Sequence, residues 1–184
     1  LRNHSTYPKL FKEAFGDEEI TTDRFLKALS QFMLMMVSNN SRYDKYLAGK
    51  TTLSDLEIKG MQLFENKCSS CHQGILFTDL SFRDNGLSPT ARQDTGREKI
   101  TLLISDKYKF KVPSLRNIEF SRPYMHDGRF STLEQVLNHY QTSVKNNPNL
   151  DPLLKKGNGT FGIDLTEEEK TNIIAFLKTL TDES

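Results

Sequence analysis

Two cysteines and a histidine form the most chemically suggestive group in this chain. Cys68 and Cys71 are the only cysteines among the 184 residues, and His72 directly follows the second of them. Two thiols at this spacing can each form a thioether to one vinyl side of a porphyrin, and the adjacent imidazole is then placed to coordinate the iron. The sequence CSSCH therefore predicts a covalently attached c-type haem with His72 as its proximal ligand.

Two other kinds of cysteine site fit the sequence less well. A thioredoxin-type C-x-x-C motif follows a strand in a βαβ unit, and no such pattern precedes Cys68. A structural zinc site needs four ligands, but the three remaining histidines have no paired spacing that would complete one. The long stretch without periodicity that follows the motif favours haem, because loops of this length are commonly functional.

The residues alone leave the second axial ligand of the iron open. Met125, His126, His139 and Tyr140 carry groups that bind haem iron, and an open coordination position is the remaining alternative. Methionine is the common partner of histidine in electron carriers, which makes Met125 the first candidate on chemistry. Packing beside Pro123 would explain Met125 equally well, and spacing does not decide among the four.

The elements that must position these groups are helices joined by long loops. Residues Phe32 to Val37 are apolar on all sides of a predicted helix that begins near Thr22, which predicts burial on more than one face. No alternation typical of strands is evident, so the predicted fold class is all-α. The sequence predicts a short helix at 42–47, loops at about 73–109 and 146–162, and three helices that open with capping boxes at Ser54 and Glu57, Ser131 and Glu134, and Thr166 and Glu169.

Composition excludes several classes of function. Lys plus Arg is 25 and Asp plus Glu is 24, and a net charge of +1 provides no strong field for nucleic acid or anionic lipid. No apolar run approaches the length of a membrane span. The chain begins at Leu1 without an initiator methionine or a charged-then-apolar leader, so we expect a processed protein or a fragment.

Beyond CSSCH, a longer stretch resembles a known enzyme family. Residues 110–140, FKVPSLRNIEFSRPYMHDGRFSTLEQVLNHY, are similar to the C-terminal domain signature of bacterial di-haem cytochrome c peroxidases, and most similar to the branch that includes MauG. MQLFENKCSSCHQGILFTDLSF precedes this block and FGIDLTEEEKTNIIAFLKTLT follows it, in the family's order. The leading YPKLFKEAFGDEEITTDRFLKALSQF and SNNSRYDKYLAG resemble the family's interdomain region.

The resemblance implies an enzyme of two cytochrome c domains, each with its own haem. The single C-x-x-C-H of this chain matches the C-terminal, electron-transfer haem. We therefore expect 1–50 to be a helical segment from the end of an absent N-terminal domain. Residues 51–184 are expected to form a cytochrome c-like haem domain with long haem-wrapping loops. The second haem, which binds peroxide, and its catalytic glutamate would lie in the absent domain, which leaves no catalytic residue here.

The resemblance also implies roles for individual residues at the haem. Cys68 and Cys71 would bind it covalently, and His72 would be the proximal ligand. Tyr140 stands where the classical peroxidases have a methionine ligand, and the MauG-like branch has a tyrosine there, so we expect Tyr140 to be the second ligand. Met125 is the alternative and an open position the third choice. Arg116 resembles an arginine near the haem propionates.

Four further residues have weaker assignments. Ser121 and Pro123 match positions whose backbone carbonyls bind an interdomain Ca²⁺. Half of that calcium site would be lost with the absent domain. His126 and Asp127 lie in the turn Pro-Tyr-Met-His-Asp-Gly. They would either have a functional role, at the haem edge or on the electron path to the other haem, or simply form the turn.

Three functions remain to be distinguished. The first is the electron-transfer half of a periplasmic peroxidase, and the whole enzyme would reduce hydrogen peroxide with electrons from a small donor protein such as a cytochrome c or cupredoxin. The second is a MauG-like oxidase of a protein or small-molecule substrate, which Tyr140 as ligand would favour. The third is a stand-alone electron carrier, against which the apolar helix near Met35 argues. A homodimer is a further expectation of the family resemblance.

Overall fold

A helix-rich architecture with very little strand is seen in the computed structural model, which describes residues 1–90 and 94–183. Residues 91–93 of the predicted loop and residue 184 of the predicted haem domain lie outside the described residues. None of the helices described has the length and hydropathy needed to cross a membrane. The regular elements are α1 (Tyr7–Phe15), α2 (Thr22–Met35), α3 (Arg42–Leu47), α4 (Asp55–Lys67), β1 (Phe82–Arg83), α5 (Glu98–Thr101), a 3₁₀ turn (Ile104–Asp106), β2 (Phe110–Lys111), α6 (Leu133–Asn138), a π-helical turn (His139–Ser143), a 3₁₀ turn (Pro152–Leu154) and α7 (Glu167–Lys178).

The first compact unit, Leu1–Ser38, contains α1 and α2. Its buried apolar side chains are Phe11 and Ile20. The N-cap of α2 is Thr21 rather than the predicted Thr22, since the Thr21 side chain accepts a hydrogen bond from the backbone of Arg24. The apolar run 32–37 is exposed, contrary to the burial predicted for it, because this unit packs no element against it.

The second compact unit, Asn39–Ser184, begins earlier than the second domain of the sequence analysis, which starts at residue 51. The short helix α3 forms at its predicted bounds, and its Tyr43 backbone N–H donates to the carbonyl of Thr179 at 3.1 Å. The Asn40 backbone N–H likewise donates to a carboxylate oxygen of Asp182 at 3.0 Å. Residues 39–50 therefore pack with the second unit. The assignment of residues 1–50 to the end of another domain stays a prediction.

The core of this unit forms where α4 and α7 pack together. Both helices begin with the capping boxes that the sequence predicts, at Ser54 and at Thr166. The third box is Thr132 with Gln135, one residue later than predicted, because the Thr132 side chain caps the backbone of Gln135. The buried side chains of the core include Phe64, Leu133, Leu137, Ile173, Ile174, Phe176, Leu177 and Leu180.

A two-stranded antiparallel sheet lies within the loop predicted at 73–109 and just after it. Phe82 pairs with Lys111 and Arg83 pairs with Phe110. Each strand has only two residues, which is too short to produce a visible alternation in the sequence. The sheet ties the segment after the cysteine motif to the segment that leads into Pro113.

Gly60 allows α4 and α7 to approach closely. A Cβ atom at this position would lie 1.9 Å from the carbonyl oxygen of Asn172 and 3.0 Å from the Cβ of Phe176. The obstructing atoms are backbone and a fully packed side chain, so neither can move aside without separating the helices.

We expect Gly60→Ala to lower the free energy of unfolding by about 2 kcal/mol, because the overpacking outweighs the gain of about 1 kcal/mol in helix propensity. Chemical denaturation followed by circular dichroism measures the change. Gly157→Ala is the matched control, since nothing lies within 4 Å of a Cβ there. A Gly60→Ala variant as stable as the control would contradict this account of the helix contact.

Candidate haem site

The cysteine motif continues directly from the end of α4. Cys68 is the C-cap residue of this helix, and the backbone N–H groups of Cys71 and His72 both donate to its carbonyl. The two cysteines are not joined by a disulfide. Burial raises the pKa of the Cys68 thiol to about 12 and also raises that of Cys71. Both side chains are therefore neutral thiols on the same turn.

His72 is oriented by a backbone carbonyl. Its Nδ1 lies 3.0 Å from the carbonyl oxygen of Phe77. A carbonyl only accepts hydrogen bonds, so Nδ1 carries the proton and Nε2 keeps the lone pair that binds metal. Burial also lowers the pKa of His72, which favours the neutral ring. This is the arrangement that orients a histidine ligand and increases its basicity.

Phe77 is itself fixed by the helical core. Its ring lies 5.7 Å from that of Phe64 in α4 and 6.1 Å from that of Phe176 in α7, and Tyr43 packs edge-on to it at 5.5 Å. The side chain is buried, and its backbone N–H donates to the carbonyl of Gly74. The carbonyl that holds His72 is thus placed by aromatic packing against the two main helices.

Tyr140 lies in the π-helical turn that follows α6. Burial raises the pKa of its phenol to about 12, the nearby Cys71 and Cys68 add to this shift, and a hydrogen bond from the Asn85 side chain opposes it. The Tyr140 carbonyl accepts from the backbone of Ile163 at 2.7 Å. A π-helical turn departs from the ordinary helix and is frequent at functional sites. The effect of both thiols on the pKa of the phenol indicates that Tyr140 lies near the cysteine motif.

The other candidates for the second axial ligand are Met125, His126 and His139, and their surroundings differ from those of Tyr140. The Met125 sulfur accepts a hydrogen bond from the Asn85 side-chain amide at 3.5 Å. His126 is exposed and stacks on Phe110, with ring centroids 3.6 Å apart. His139 is buried, and its Nε2 donates to the Asn85 carbonyl at 2.9 Å, so this nitrogen is already occupied.

Asn85 is the residue at this site that sequence reasoning missed. Its side-chain amide donates to Met125, and its backbone carbonyl accepts from His139. The only signal in the sequence is the triplet Asp84-Asn85-Gly86, which is typical of a turn and carries no information about a site.

Arg116 is bound to protein groups. Its guanidinium donates to Asp44 at 2.6 Å, to the Ser41 hydroxyl at 3.3 Å and to the carbonyl of Ile75 at 2.9 Å. Burial would raise the pKa of Asp44, but hydrogen bonds from Arg116 and Ser41 outweigh burial and lower it. Arg116 thus ties α3 to the loop after the cysteine motif. Its contact with haem propionates stays a prediction.

Ser121 and Pro123 lie on the surface, in the segment before the Met125 turn. The Ser121 backbone and hydroxyl both donate to the carbonyl of Ile118. Among the described residues, no group of three or more His, Cys, Asp or Glu side chains is arranged to hold a metal ion. A calcium site at Ser121 and Pro123 would use backbone carbonyls, and it stays a prediction.

Asp127 pairs with Arg129, two residues further along, and the Arg129 guanidinium also donates to the carbonyl of Ser88 at 2.8 Å. The pKa of Asp127 is lowered by the hydrogen bond from Arg129. Arg129, held by Asp127, therefore joins the Met125 turn to the loop that follows Asn85.

The donor set fits a c-type haem. Two free thiols lie one turn apart, the adjacent imidazole has its Nε2 lone pair available, and a phenol and a thioether lie in the same region. The apolar side chains just after the motif, Ile75, Leu76 and Leu80, are 79%, 50% and 55% exposed. A porphyrin held by the adjacent thiols would give these side chains an apolar surface to contact.

Comparisons with known proteins agree with this chemistry. The family model described as "Di-haem cytochrome c peroxidase" matches residues 1–52. The methylamine utilization protein MauG of Methylorubrum extorquens is 37% identical over 183 residues, which are 96% of this chain and 50% of that protein. Cytochrome c551 peroxidase of Nitrosomonas europaea is 35% identical over 95% of this chain and 49% of its own length. Over nearly all of its own length, the chain is similar to members of the di-haem cytochrome c peroxidase and MauG family.

A solved structure supports the same family. The crystal structure of a MauG-like protein associated with microbial copper homeostasis aligns with a TM-score of 0.79 and 34% identity, over all of this chain and 60% of that one. The chain spans about half the length of the curated relatives it matches. The family described by these names is a di-haem cytochrome c peroxidase family, which implies haem c as its cofactor.

The contacts of Arg116 predict a loss of stability in Arg116→Gln. We expect a loss of about 2 kcal/mol in the free energy of unfolding, because the mutation leaves Asp44 half-buried without its charged partner. Asp44 has a lowered pKa in the folded chain, so the stabilisation is present above the carboxyl's ordinary pKa and is lost as pH falls through the folded one. The difference in the free energy of unfolding between Arg116→Gln and wild type should therefore become smaller on acidification to about pH 3.

Chemical denaturation at neutral and acidic pH, with and without haem, measures this effect. Arg122→Gln, at an exposed position, is the matched control. A loss of stability in Arg116→Gln that occurs only when haem is attached would contradict a stabilising role for the ion pair between Arg116 and Asp44.

Proposed function

We propose that this chain is the C-terminal, electron-transfer haem domain of a di-haem cytochrome c peroxidase. The observation that carries the proposal is the CSSCH turn on the end of α4, with the His72 Nδ1 held by the Phe77 carbonyl. The whole enzyme would reduce hydrogen peroxide at a second haem in an N-terminal domain, and this domain would receive and relay the electrons. No catalytic residue is assigned within this chain.

Each residue of the motif has a distinct part in this function. Haem c supplies an iron centre that exchanges single electrons. The Cys68 and Cys71 thiols would hold the porphyrin through two thioether bonds, each formed by addition of the S–H group across one vinyl double bond. His72 presents the Nε2 lone pair in a fixed direction because Nδ1 is bound to the Phe77 carbonyl. A fixed ligand limits the structural change that accompanies electron transfer.

We propose Tyr140 as the second axial ligand, with Met125 as the alternative and an open position third. Support comes from the burial of the phenol near both cysteines. A phenolate oxygen stabilises ferric and higher oxidation states and so lowers the reduction potential, whereas a thioether raises it. Tyr140 as ligand therefore also favours the second candidate function, a MauG-like oxidase acting on a protein or a small molecule.

Several expectations complete the proposal. The electron donor would be a small cytochrome c or cupredoxin, and the protein would work in the periplasm, where c-type haem is attached. A Ca²⁺ ion at the carbonyls of Ser121 and Pro123, an Arg116 contact to the haem propionates and a homodimer are also proposed. A stand-alone electron carrier is the least supported function, since α2 carries a large exposed apolar surface.

The proposal predicts that the chain, exported in a host with cytochrome c maturation, retains its Soret band after acid–acetone extraction. Cys68→Ala/Cys71→Ala should lose this covalent haem entirely, because both thioether bonds are absent. Ser69→Ala/Ser70→Ala, which changes the two other residues between His72 and α4, should keep it. Loss of haem in both double variants, or its absence in wild type, would overturn the proposal.

Function is tested on the haem-loaded chain with a reduced small cytochrome c as donor. We expect the haem to be reduced by the donor, while peroxide turnover stays near background, because the peroxide site is assigned elsewhere. Robust peroxide reduction by this chain alone would contradict the assignment of an electron-transfer role.

The ligand assignment predicts that Tyr140→Phe changes the ferric visible and electron paramagnetic resonance spectra, because the phenol oxygen is removed. Met125→Leu is the matched control, and its ferric spectra should remain those of wild type. The opposite pattern would identify Met125 as the ligand, and no change in either variant would identify an open position.

A further inference from the structure

We propose that Arg83 is a positioning residue that holds the Asp79 and Asp151 carboxylates beside the cysteine turn, offsets their negative charge and so raises the reduction potential of the bound haem. The inference rests on the proposed haem-domain function and goes beyond it, because it assigns control of the potential to a residue that binds neither iron nor porphyrin. Arg83 lies in β1, outside the motifs that identify the site in the sequence.

The guanidinium of Arg83 donates hydrogen bonds from all three of its nitrogens. Nη2 donates to Asp79 Oδ2 at 2.7 Å, and Nε donates to the Ser81 hydroxyl at 2.8 Å and to the same Asp79 oxygen at 3.2 Å. Nη1 donates to Asp151 Oδ2 at 2.7 Å, across 68 positions of the sequence. One cation therefore joins two carboxylates from distant parts of the chain.

Asp79 is attached directly to the cysteine motif. Its backbone N–H donates to the Cys71 carbonyl at 2.9 Å. The carboxylate oxygen that does not face Arg83, Oδ1, accepts from the backbone and the hydroxyl of Ser81 at 2.9 and 2.7 Å. Both oxygens are thus held, and the carboxylate has a fixed position beside the turn that carries the thiols and His72.

Asp151 belongs to a loop that packs against Tyr140. Its Oδ1 accepts from the backbone of Leu153 at 2.9 Å and so caps the 3₁₀ turn that follows. The preceding Leu150 is 2% exposed and belongs to a small apolar cluster against which Tyr140 packs. Arg83 therefore connects the cysteine turn to the loop beside the proposed second ligand.

The three charged side chains are largely shielded from water. Those of Asp79 and Asp151 are each 10% exposed, and that of Arg83 is 26% exposed. Burial would raise the pKa of Asp79, but hydrogen bonds from Ser81 and Arg83 outweigh burial and lower it to about 2. The hydrogen bond to Asp79 also raises the pKa of Arg83. A guanidinium likewise stabilises the ionised form of the carboxylate it binds at Asp151.

The net charge of this group favours the ferric state, and Arg83 limits that effect. Ferric haem carries one more positive charge than ferrous haem, so a nearby carboxylate stabilises the ferric state and lowers the reduction potential. Two carboxylates and one guanidinium leave one net negative charge beside the cysteine turn, whereas the carboxylates alone would leave two. The surroundings of a haem are one of the means by which a protein sets its potential.

The test measures the midpoint potential of the haem-loaded chain in variants that each remove one charge. We expect Arg83→Gln to lower the potential and Asp79→Asn and Asp151→Asn to raise it, each changing the ferric-to-ferrous ratio at a fixed applied potential on the order of tenfold. Asparagine keeps an oxygen that accepts from Ser81 or Leu153, so both turns are retained. Arg83→Lys keeps the positive charge and should stay near wild type.

A compensating double variant distinguishes charge from structure. Arg83→Gln/Asp151→Asn removes one charge of each sign, so its potential should return close to that of wild type. A purely structural role for Arg83 would not produce this reversal, because the double variant makes no more hydrogen bonds at this site than Arg83→Gln does.

Arg42→Gln is the matched control. Arg42 makes a comparable two-bond ion pair with Glu57, at 2.7 and 3.1 Å, in the first turn of α4. The cysteine motif follows the other end of this helix, about 16 Å further along its axis at about 1.5 Å per residue. Arg42→Gln should therefore leave the potential unchanged.

The outcomes separate this inference from the proposed function. If wild type holds covalent haem but the potentials do not follow the sign of the charge removed, or if Arg42→Gln shifts the potential as much as Arg83→Gln, the role of Arg83 is overturned and the haem-domain proposal stands. Circular dichroism shows whether each variant folds. If Arg83→Gln does not fold, unchanged potentials in Asp79→Asn and Asp151→Asn would overturn the role in the same way. If wild type holds no covalent haem, both proposals fail.

Discussion

The close packing of α4 against α7 is the constraint on which the candidate haem site depends. Gly60 lets the two helices touch, and this brings Phe64 and Phe176 together. Their rings hold Phe77, whose carbonyl in turn fixes the His72 imidazole. The cysteine motif also begins where α4 ends. The packing of α4 against α7 therefore fixes the position of Phe77. The hydrogen bond between His72 and the Phe77 carbonyl in turn fixes the direction of the imidazole ligand.

The part of the site around Asp84 and Asn85 is built from loops. Buried polar contacts, and not helix packing, hold these loops in place. Asp84 accepts from Gly86 and Asn147, and Asn85 joins His139 to Met125. The Asp84 carboxylate is 1% exposed, and only its Oδ1 accepts these hydrogen bonds. Its Oδ2 has no hydrogen-bond partner among the described residues, and burial raises the pKa of the group.

The two compact units differ in how completely they bury their apolar residues. In the unit 39–184 the faces of α4 and α7 are covered by each other, whereas the apolar run 32–37 in the unit 1–38 is exposed. The pairing of Arg116 with Asp44 joins α3 to the loop after the cysteine motif within the larger unit. Residues 39–50 therefore belong structurally with the haem site, although their sequence resembles the family's interdomain region.

The sequence by itself determined the features that depend on local chemistry. The CSSCH spacing, the capping boxes at Ser54 and Thr166 and the bounds of α3 are set by residues within a few positions of one another, and they are present in the structure. Three features required the tertiary structure: the unit boundary at residue 38, the pairing of β1 with β2, and the hydrogen bonds of Asn85 with Met125 and His139. Asn85 lies 40 positions from Met125, and no local periodicity records a contact across that distance. Only the folded loops bring these side chains together.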